Sequence, residues 1–370
     1  VTDPRRRGSQ AFAQDLDAAL RERGRRSSVV ALAGDGEMDF AVLGPTRLHP
    51  RTLRELRRRA AGADIVVAHG STTLDACGIA LTGTRTPFVY VSIGDPRHWA
   101  PDRLRRARVG LLLRRAAAIA SVSPQGRDIL RETYRLAPER VQAIPNGRRP
   151  ERFRPPDSVD RAKARAELGL PAGASVLAVV GALATEKRVA LAIEAFALLV
   201  ADAGEAGTKT SADAAPPREQ ADSIRLVVAG EGPERRHLEE LAHRRVPGLV
   251  TFTGNLADLG PVYRASDALV LSSTSEGVPG VLVEAGLTGI PAAATDVGFV
   301  RDVVVDGVTG ALDPSGEPGL LADAIRRVLA DRAAMGRAAR ARCLERHAME
   351  SVVDAWVTLL DATSRAGSTR

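Results

Sequence analysis

The sequence predicts an α/β protein made of two doubly wound, parallel-sheet domains. Three observations carry that expectation. Apolar runs of strand length alternate with helix-length amphipathic stretches from end to end, the rhythm of β-α-β units whose helices cover both faces of a sheet. The chain has 370 residues, enough for two domains at roughly 150 residues each. A stiff Arg154-Pro155-Pro156 break then divides the rhythm into two runs.

In the first run, 29–33, 64–68, 87–92, 118–121 and 141–144 read as buried strands, with helices over 10–23, 50–61 and 124–134. Val1-Thr2 leads straight into a Pro-Arg-Gly turn, which places the chain's start inside the first strand. In the second run the strands are 176–180, 225–229, 249–253, 268–271 and 291–294, with a helix at 189–199. Residues 201–223 are small and polar, too poor in apolar side chains to pack, and read as a mobile insertion. The domains expected are 1–154 and 155–349, with a last helix over 350–370 returning to the first domain.

Composition removes several function classes. Apolar residues make up 44% of the chain, ample for two cores, while aromatics at 3% are too few to stack on bases; no nucleic-acid partner is expected. Cys77 and Cys343 make neither a disulfide framework nor a thiolate metal cluster. No histidine or acid cluster has metal-ligand spacing, so neither metal nor cofactor is expected. No apolar run approaches the ~18 residues of a membrane span and no signal-peptide pattern opens the chain, so a cytoplasmic protein is expected. Charge is uneven: residues 1–160 carry +11 and residues 161–370 carry −4. A basic first half suits an acidic partner, whether anionic lipid or a phosphorylated substrate; the plain alternative is Arg-rich codon usage.

The most specific segment is Ser275-Glu276-Gly277-Val278-Pro279-Gly280-Val281-Leu282-Val283-Glu284-Ala285. It follows an apolar strand and opens a helix, so backbone N–H groups and the positive dipole end point outward, as a diphosphate requires. Glu276 and Glu284 are spaced to face one cleft, with a carboxylate placed for ribose hydroxyls. Three further loops stand at strand ends: Gly181 followed by Glu186-Lys187-Arg188, then Gly230-Glu231-Gly232-Pro233, then Gly254-Asn255. Ligands of open α/β sheets bind at these ends, and Lys187 can reach an anion held between loops.

Together these segments resemble the retaining glycosyltransferases of family 4, which have the GT-B fold of two facing Rossmann-like domains with a cleft between them. In the first half the resemblance includes Gly8 before the first helix, 64–70, 120–123 and 144–147. It implies a nucleotide-sugar donor held mainly by the C-terminal domain, an acceptor held by the N-terminal one, and transfer with retention. It also implies Glu284 on the donor ribose, Glu276 on the donor sugar and Lys187 on the diphosphate. Amides of Val278, Gly280 and Val281 would contact sugar and phosphate, and Gly8 would let its loop approach the diphosphate. Gly181, Gly230, Gly232, Gly277 and Asn255 complete the implied donor set.

The chain departs from the family pattern in three places. Gly181-Ala182 stands where Gly-Arg is usual, with Arg188 the candidate to compensate; Arg148-Arg149 follows Asn146-Gly147; and the usual His after strand 87–92 is missing. His69, at a strand end, and His98, in Asp95-Pro96-Arg97-His98-Trp99, are the candidate catalytic histidines, beside Glu276 and Lys187. The alternatives are a catalytically weak sugar-nucleotide-binding or partner subunit, and an epimerase or phosphorylase of the same fold.

The segment 103–115 carries its own expectation. Arg103, Arg105, Arg106, Arg108, Arg114 and Arg115 flank Leu111-Leu112-Leu113, and helical spacing groups Arg103, Arg106 and Arg114 with the leucines inward. Such a helix suits peripheral contact with the inner membrane face, or a lipid-linked or phosphorylated acceptor. The plainer reading is a solvated amphipathic helix.

Overall fold

The computed structural model describes residues 1–5, 8–99, 102–209 and 224–368, without the side chains of 71, 203–209 and 366–368. The chain divides into two compact units, one formed by Val1–Arg149 with Arg346–Arg370, the other by Pro150–Glu345.

The first unit centres on four parallel strands in the order β3 (Val66–His69), β4 (Phe88–Ser92), β5 (Ala118–Ser121) and β6 (Val141–Ala143), beside a two-stranded pair, β1 (Val30–Ala31) and β2 (Ala41–Val42). All five residues of β4 are buried, as a parallel strand covered on both faces must be, which explains its unbroken apolar run. The backbone of the first residues lies along β1, where the Leu32 N–H donates to the Val1 carbonyl at 3.0 Å and the Ala33 N–H to Thr2 at 3.2 Å.

Helices α1 (Gly8–Glu22), α2 (Pro50–Ala60), α3 (Ser71–Ala80), α4 (Arg103–Arg115) and α5 (Pro124–Tyr134) alternate with the strands. Local signals start several of them: Pro50 opens α2 behind a His49 cap, and Ser123 Oγ accepts from the Gly126 N–H to start α5. In α4, Leu113 is buried but Leu111 is 64% exposed and Leu104 is 87% exposed. The leucines therefore do not all face inward as expected, because packing turns the Gly110–Leu113 edge toward the sheet. The last helix of the chain, at Met349–Ser368, packs on α1 of the same unit through Trp356 and Phe12, whose ring centroids are 6.3 Å apart.

The second unit is a six-stranded parallel sheet. Its strands, in chain order, are β7 (Ser175–Val180), β8 (Ile224–Ala229), β9 (Val250–Gly254), β10 (Ala268–Leu271), β11 (Ala292–Thr295) and β12 (Gly310–Asp313). Their spatial order is β12-β11-β10-β7-β8-β9, a doubly wound sheet that reverses direction between β7 and β10. Its helices are α6 (Ser158–Glu167), α7 (Val189–Lys209), α8 (Arg235–Arg245), α9 (Gly260–Ala265), α10 (Gly280–Thr288), α11 (Pro318–Ala330) and α12 (Arg332–His347), so Met349–Ser368 is α13. Leu177, Ile193, Phe196, Leu226 and Ile325 are fully buried in its core.

Helix α7 corrects one expectation. Residues 201–209 are its last turns rather than loop: an established helix extends at one hydrogen bond per residue, so small polar residues suffice to continue it. The rest of the expected insertion, 210–223, lies outside the described residues.

Candidate functional site

In the second unit, the loops that the sequence singles out all follow the carboxyl ends of strands. Lys187 follows β7 in a single helical turn, and its Nζ lies 2.5 Å from Glu276 Oε1. Ser273, just past β10, donates its hydroxyl to the same oxygen at 2.6 Å. Two donors thus hold Oε1 of Glu276, whose side chain is 10% exposed against 30% for Lys187. The two loops are sewn together by the Thr274 N–H on the Glu186 carbonyl at 2.9 Å and by Ser272 Oγ on the Lys187 carbonyl, also at 2.9 Å.

Helix α10 begins at Gly280 behind Pro279, which caps nothing with its side chain. The N–H groups of Gly280 and Val281 have no intrahelical acceptor, leaving a donor pair at the positive end of the dipole. Val278 is buried beneath this turn, and Gly277 precedes it. On the second turn of α10, Glu284 Oε2 accepts the Tyr263 hydroxyl at 2.8 Å. Tyr263 is itself 1% exposed and edge-on to Phe153 at 6.0 Å. Sequence reasoning missed Tyr263, since no local pattern links it to Glu284.

The glycines have structural partners. Gly230 has φ 150, and a Cβ there would run into the Gly181 carbonyl oxygen. One at Gly232 would meet the Leu183 carbonyl. Their small size lets the loops after β7 and β8 touch each other. Arg188 adopts left-handed φ 46, and its guanidinium donates to the Gly316 carbonyl at 2.7 Å. Asn255 is exposed just past the end of β9.

In the first unit a cavity of about 360 Å³ is lined by Thr2, Asp3, Ser9, Gln10, Arg47, His69, Gly70, Thr72, Ile93, Gly94 and Trp99. Asp3 is 5% exposed; its carboxylate accepts the Gln10 amide at 3.1 Å and lies 3.8 Å from Arg47. His69 is 6% exposed between Phe12 and Trp356, and its Nδ1 is buried with no hydrogen-bond partner among the described residues. Burial pushes the imidazole down to about 3, so it is neutral at pH 7.

His98 is not part of this cavity. Its side chain is 71% exposed, with Nε2 3.8 Å from Asp95, while Trp99 beside it lines the wall. Burial alone would raise the Asp95 carboxyl, but hydrogen bonds and charge from Arg97 hold it below the usual carboxylate range. Gly8 opens α1, with an Arg148 guanidinium nitrogen 3.9 Å from where its Cβ would stand. Among the described residues no group of three or more His, Cys, Asp or Glu side chains has the placement to hold a metal ion. No described helix is long and apolar enough to cross a membrane.

Two family models match the chain in series: residues 6–152 match Glycosyltransferase Family 4, and residues 160–342 match Glycosyl transferases group 1. A D-inositol 3-phosphate glycosyltransferase of Nocardia farcinica is 30% identical over 317 residues, covering 78% of this chain and 64% of its own length. A 2-deoxystreptamine glucosyltransferase of Streptomyces kanamyceticus is 33% identical over 224 residues, covering 59% and 53%. The chain thus spans about half to two thirds of the length of these curated relatives. Among solved structures, Anabaena Alr3699/HepE in complex with UDP-glucose superposes with a TM-score of 0.80 at 21% identity over 98% of both chains. WaaG, a glycosyltransferase of lipopolysaccharide biosynthesis, gives 0.71 at 19% identity over 97% of this chain and 98% of its own. With two parallel-sheet units, the GT-B architecture and both family models in order along it, the chain belongs to the family 4, group 1 glycosyltransferases.

Proposed function

We propose that this protein transfers a sugar from a nucleotide diphosphate sugar to an acceptor hydroxyl with retention of anomeric configuration. The observation that carries the reading is the arrangement in the second unit. Lys187 and Glu276 are paired beside the unsatisfied N–H groups of Gly280 and Val281, with Glu284 held by Tyr263 further along the same helix. Lys187 and the helix start supply positive potential for the diphosphate, the charge that grows as the glycosidic bond to it breaks. Glu276 presents a fixed carboxylate to sugar hydroxyls, and Glu284 does the same for the ribose.

Retention is read as front-face transfer, which needs no enzymic nucleophile. The acceptor oxygen bonds to the anomeric carbon on the side the diphosphate leaves, and its proton passes to the departing phosphate oxygen. His69, neutral and buried, is a wall of the first-unit cavity. That cavity supports the acceptor side: at about 360 Å³ it lies near the low end for small-molecule sites. Hydroxyls, an amide and the Asp3 carboxylate line it, with Trp99 as an apolar wall. Such a lining suits one polyhydroxylated ring, and inositol 3-phosphate and 2-deoxystreptamine, named for two relatives, both contain one. The test is release of nucleoside diphosphate from a panel of nucleotide sugars, with and without each of these acceptors. An acceptor-dependent increase for one donor supports the reading. Tight donor binding without turnover for any pair favours a sugar-nucleotide-binding subunit instead.

A further inference from the structure

Helix α4 has an outward face that the transfer reaction does not use. Leu104 is 87% exposed and Leu111 64%; seven residues apart, they lie on one side of the helix. Arg108 and Arg115 follow them at four-residue spacing, so the stripe reads Leu-Arg-Leu-Arg. The opposite side, with Gly110 and Leu113, is buried against the sheet, and Leu112 fits against Gly78 of α3.

The helix carries six arginines and no acid between Arg103 and Arg115. Arg108 lies 3.4 Å from Asp75, and Arg114 donates to the Tyr134 carbonyl at 2.8 Å. Side chains of Arg103, Arg105, Arg106 and Arg115 are exposed and make no hydrogen bond or ion pair among the described residues. Arg115 within the stripe and Arg103 and Arg105 on its two flanks, all unengaged, make the face around the two protruding leucines complementary to a surface that is anionic outside and apolar beneath. A nucleic acid would meet the charge but offer nothing to the leucines.

We infer that α4 is a docking surface for an anionic lipid bilayer, with Leu104 and Leu111 inserting below the headgroups and the arginines pairing with lipid phosphates. The inference is independent of which sugar or acceptor the protein uses. Each basic residue near such a surface adds up to about five-fold to partitioning, an effect that salt screens. Burying each leucine adds about ten-fold or more.

The test is flotation of the full chain with vesicles of phosphatidylglycerol and phosphatidylcholine, against vesicles of phosphatidylcholine alone, at low and high salt. The expected result is recovery with the anionic vesicles only, falling with salt. It should drop at least ten-fold in the Leu104→Ser/Leu111→Ser double variant and again in Arg103→Gln/Arg105→Gln/Arg106→Gln. Val159→Ser, which removes a 74% exposed apolar side chain from the second unit, should float like the parent. Circular dichroism shows whether each variant folds. Equal recovery on both vesicle types, no recovery on either, or unchanged flotation of the folded leucine variant overturns the inference. So does an oligonucleotide gel shift that needs the arginines in a protein that leaves the vesicles alone.

Discussion

Glu284 and His69 show how differently two titratable groups are held. Glu284 faces a tyrosine hydroxyl at 2.8 Å, and we propose its carboxylate as the group that binds the nucleotide ribose. Replacing it with alanine removes charge-assisted bonds of about 1.5–3 kcal/mol each, so calorimetry should show nucleoside diphosphate binding weakened ten-fold or more with the fold intact. Tyr263→Phe should weaken it less, by roughly three- to ten-fold, since it removes one neutral partner; unchanged affinity in both would exclude the assignment. His69 instead is neutral because burial holds its pKa near 3 against an ordinary 6.5. The unfolded chain therefore binds an extra proton between those values, so this group's stability is full above about pH 6.5 and falls as the pH drops. Unfolding free energies from urea titrations between pH 4.5 and 6 should fall with acid by up to about 1.4 kcal/mol per pH unit more in the parent than in His69→Leu. Parallel slopes would rule this out.

At the level of elements, the second-unit site depends on loops that touch through glycine. Gly298 has φ 56, and a Cβ there would strike the Glu276 carbonyl oxygen. Gly298→Ala should cost roughly 2 kcal/mol or more through strain and displacement of the Glu276 loop, and it should also weaken nucleotide binding. Gly173→Ala meets no atom within 4 Å and should leave both unchanged. A thermal melt and a nucleotide titration on the pair give the answer, and equal behaviour would mean that the loop is not clamped there. The same site gives a reason to expect metal independence. In the proposed donor site Lys187 and the start of α10 meet the diphosphate with positive charge, so turnover should survive EDTA. Activity lost to chelation and restored by magnesium or manganese would contradict that.

At the scale of the whole molecule, the first unit is built from both ends of the chain. Trp356, fully buried on α13, packs against Phe12 of α1 and against His69 at the end of β3. Truncating it to alanine should cost about 3–5 kcal/mol. The loss should fall on the first unit alone, so calorimetry should show one of two transitions moving down while the other stays. A uniform shift would mean that the units unfold as one.

What could be read from the sequence was whatever local spacing records. Strand-loop-helix order placed Lys187 and Glu276 in loops after strand ends, Gly280 and Val281 at a helix start and Glu284 further along that helix, because each follows from neighbours within about ten residues. The resemblance to family 4 was legible for the same reason, its motifs being short and in order. Three things were decided only by tertiary structure. The direction of Leu111 was ambiguous because apolar residues at 104, 109, 111, 112 and 113 point around most of α4, and only packing on the sheet selects which are covered. The Tyr263–Glu284 bond joins residues 21 apart through the juxtaposition of α9 and α10, which no periodicity encodes. The first-unit cavity gathers Asp3, Arg47, His69 and Trp99 from four separate segments. Such a site exists only once the strands pair, since the contacts that define it are long-range and the chain carries no local signal for them.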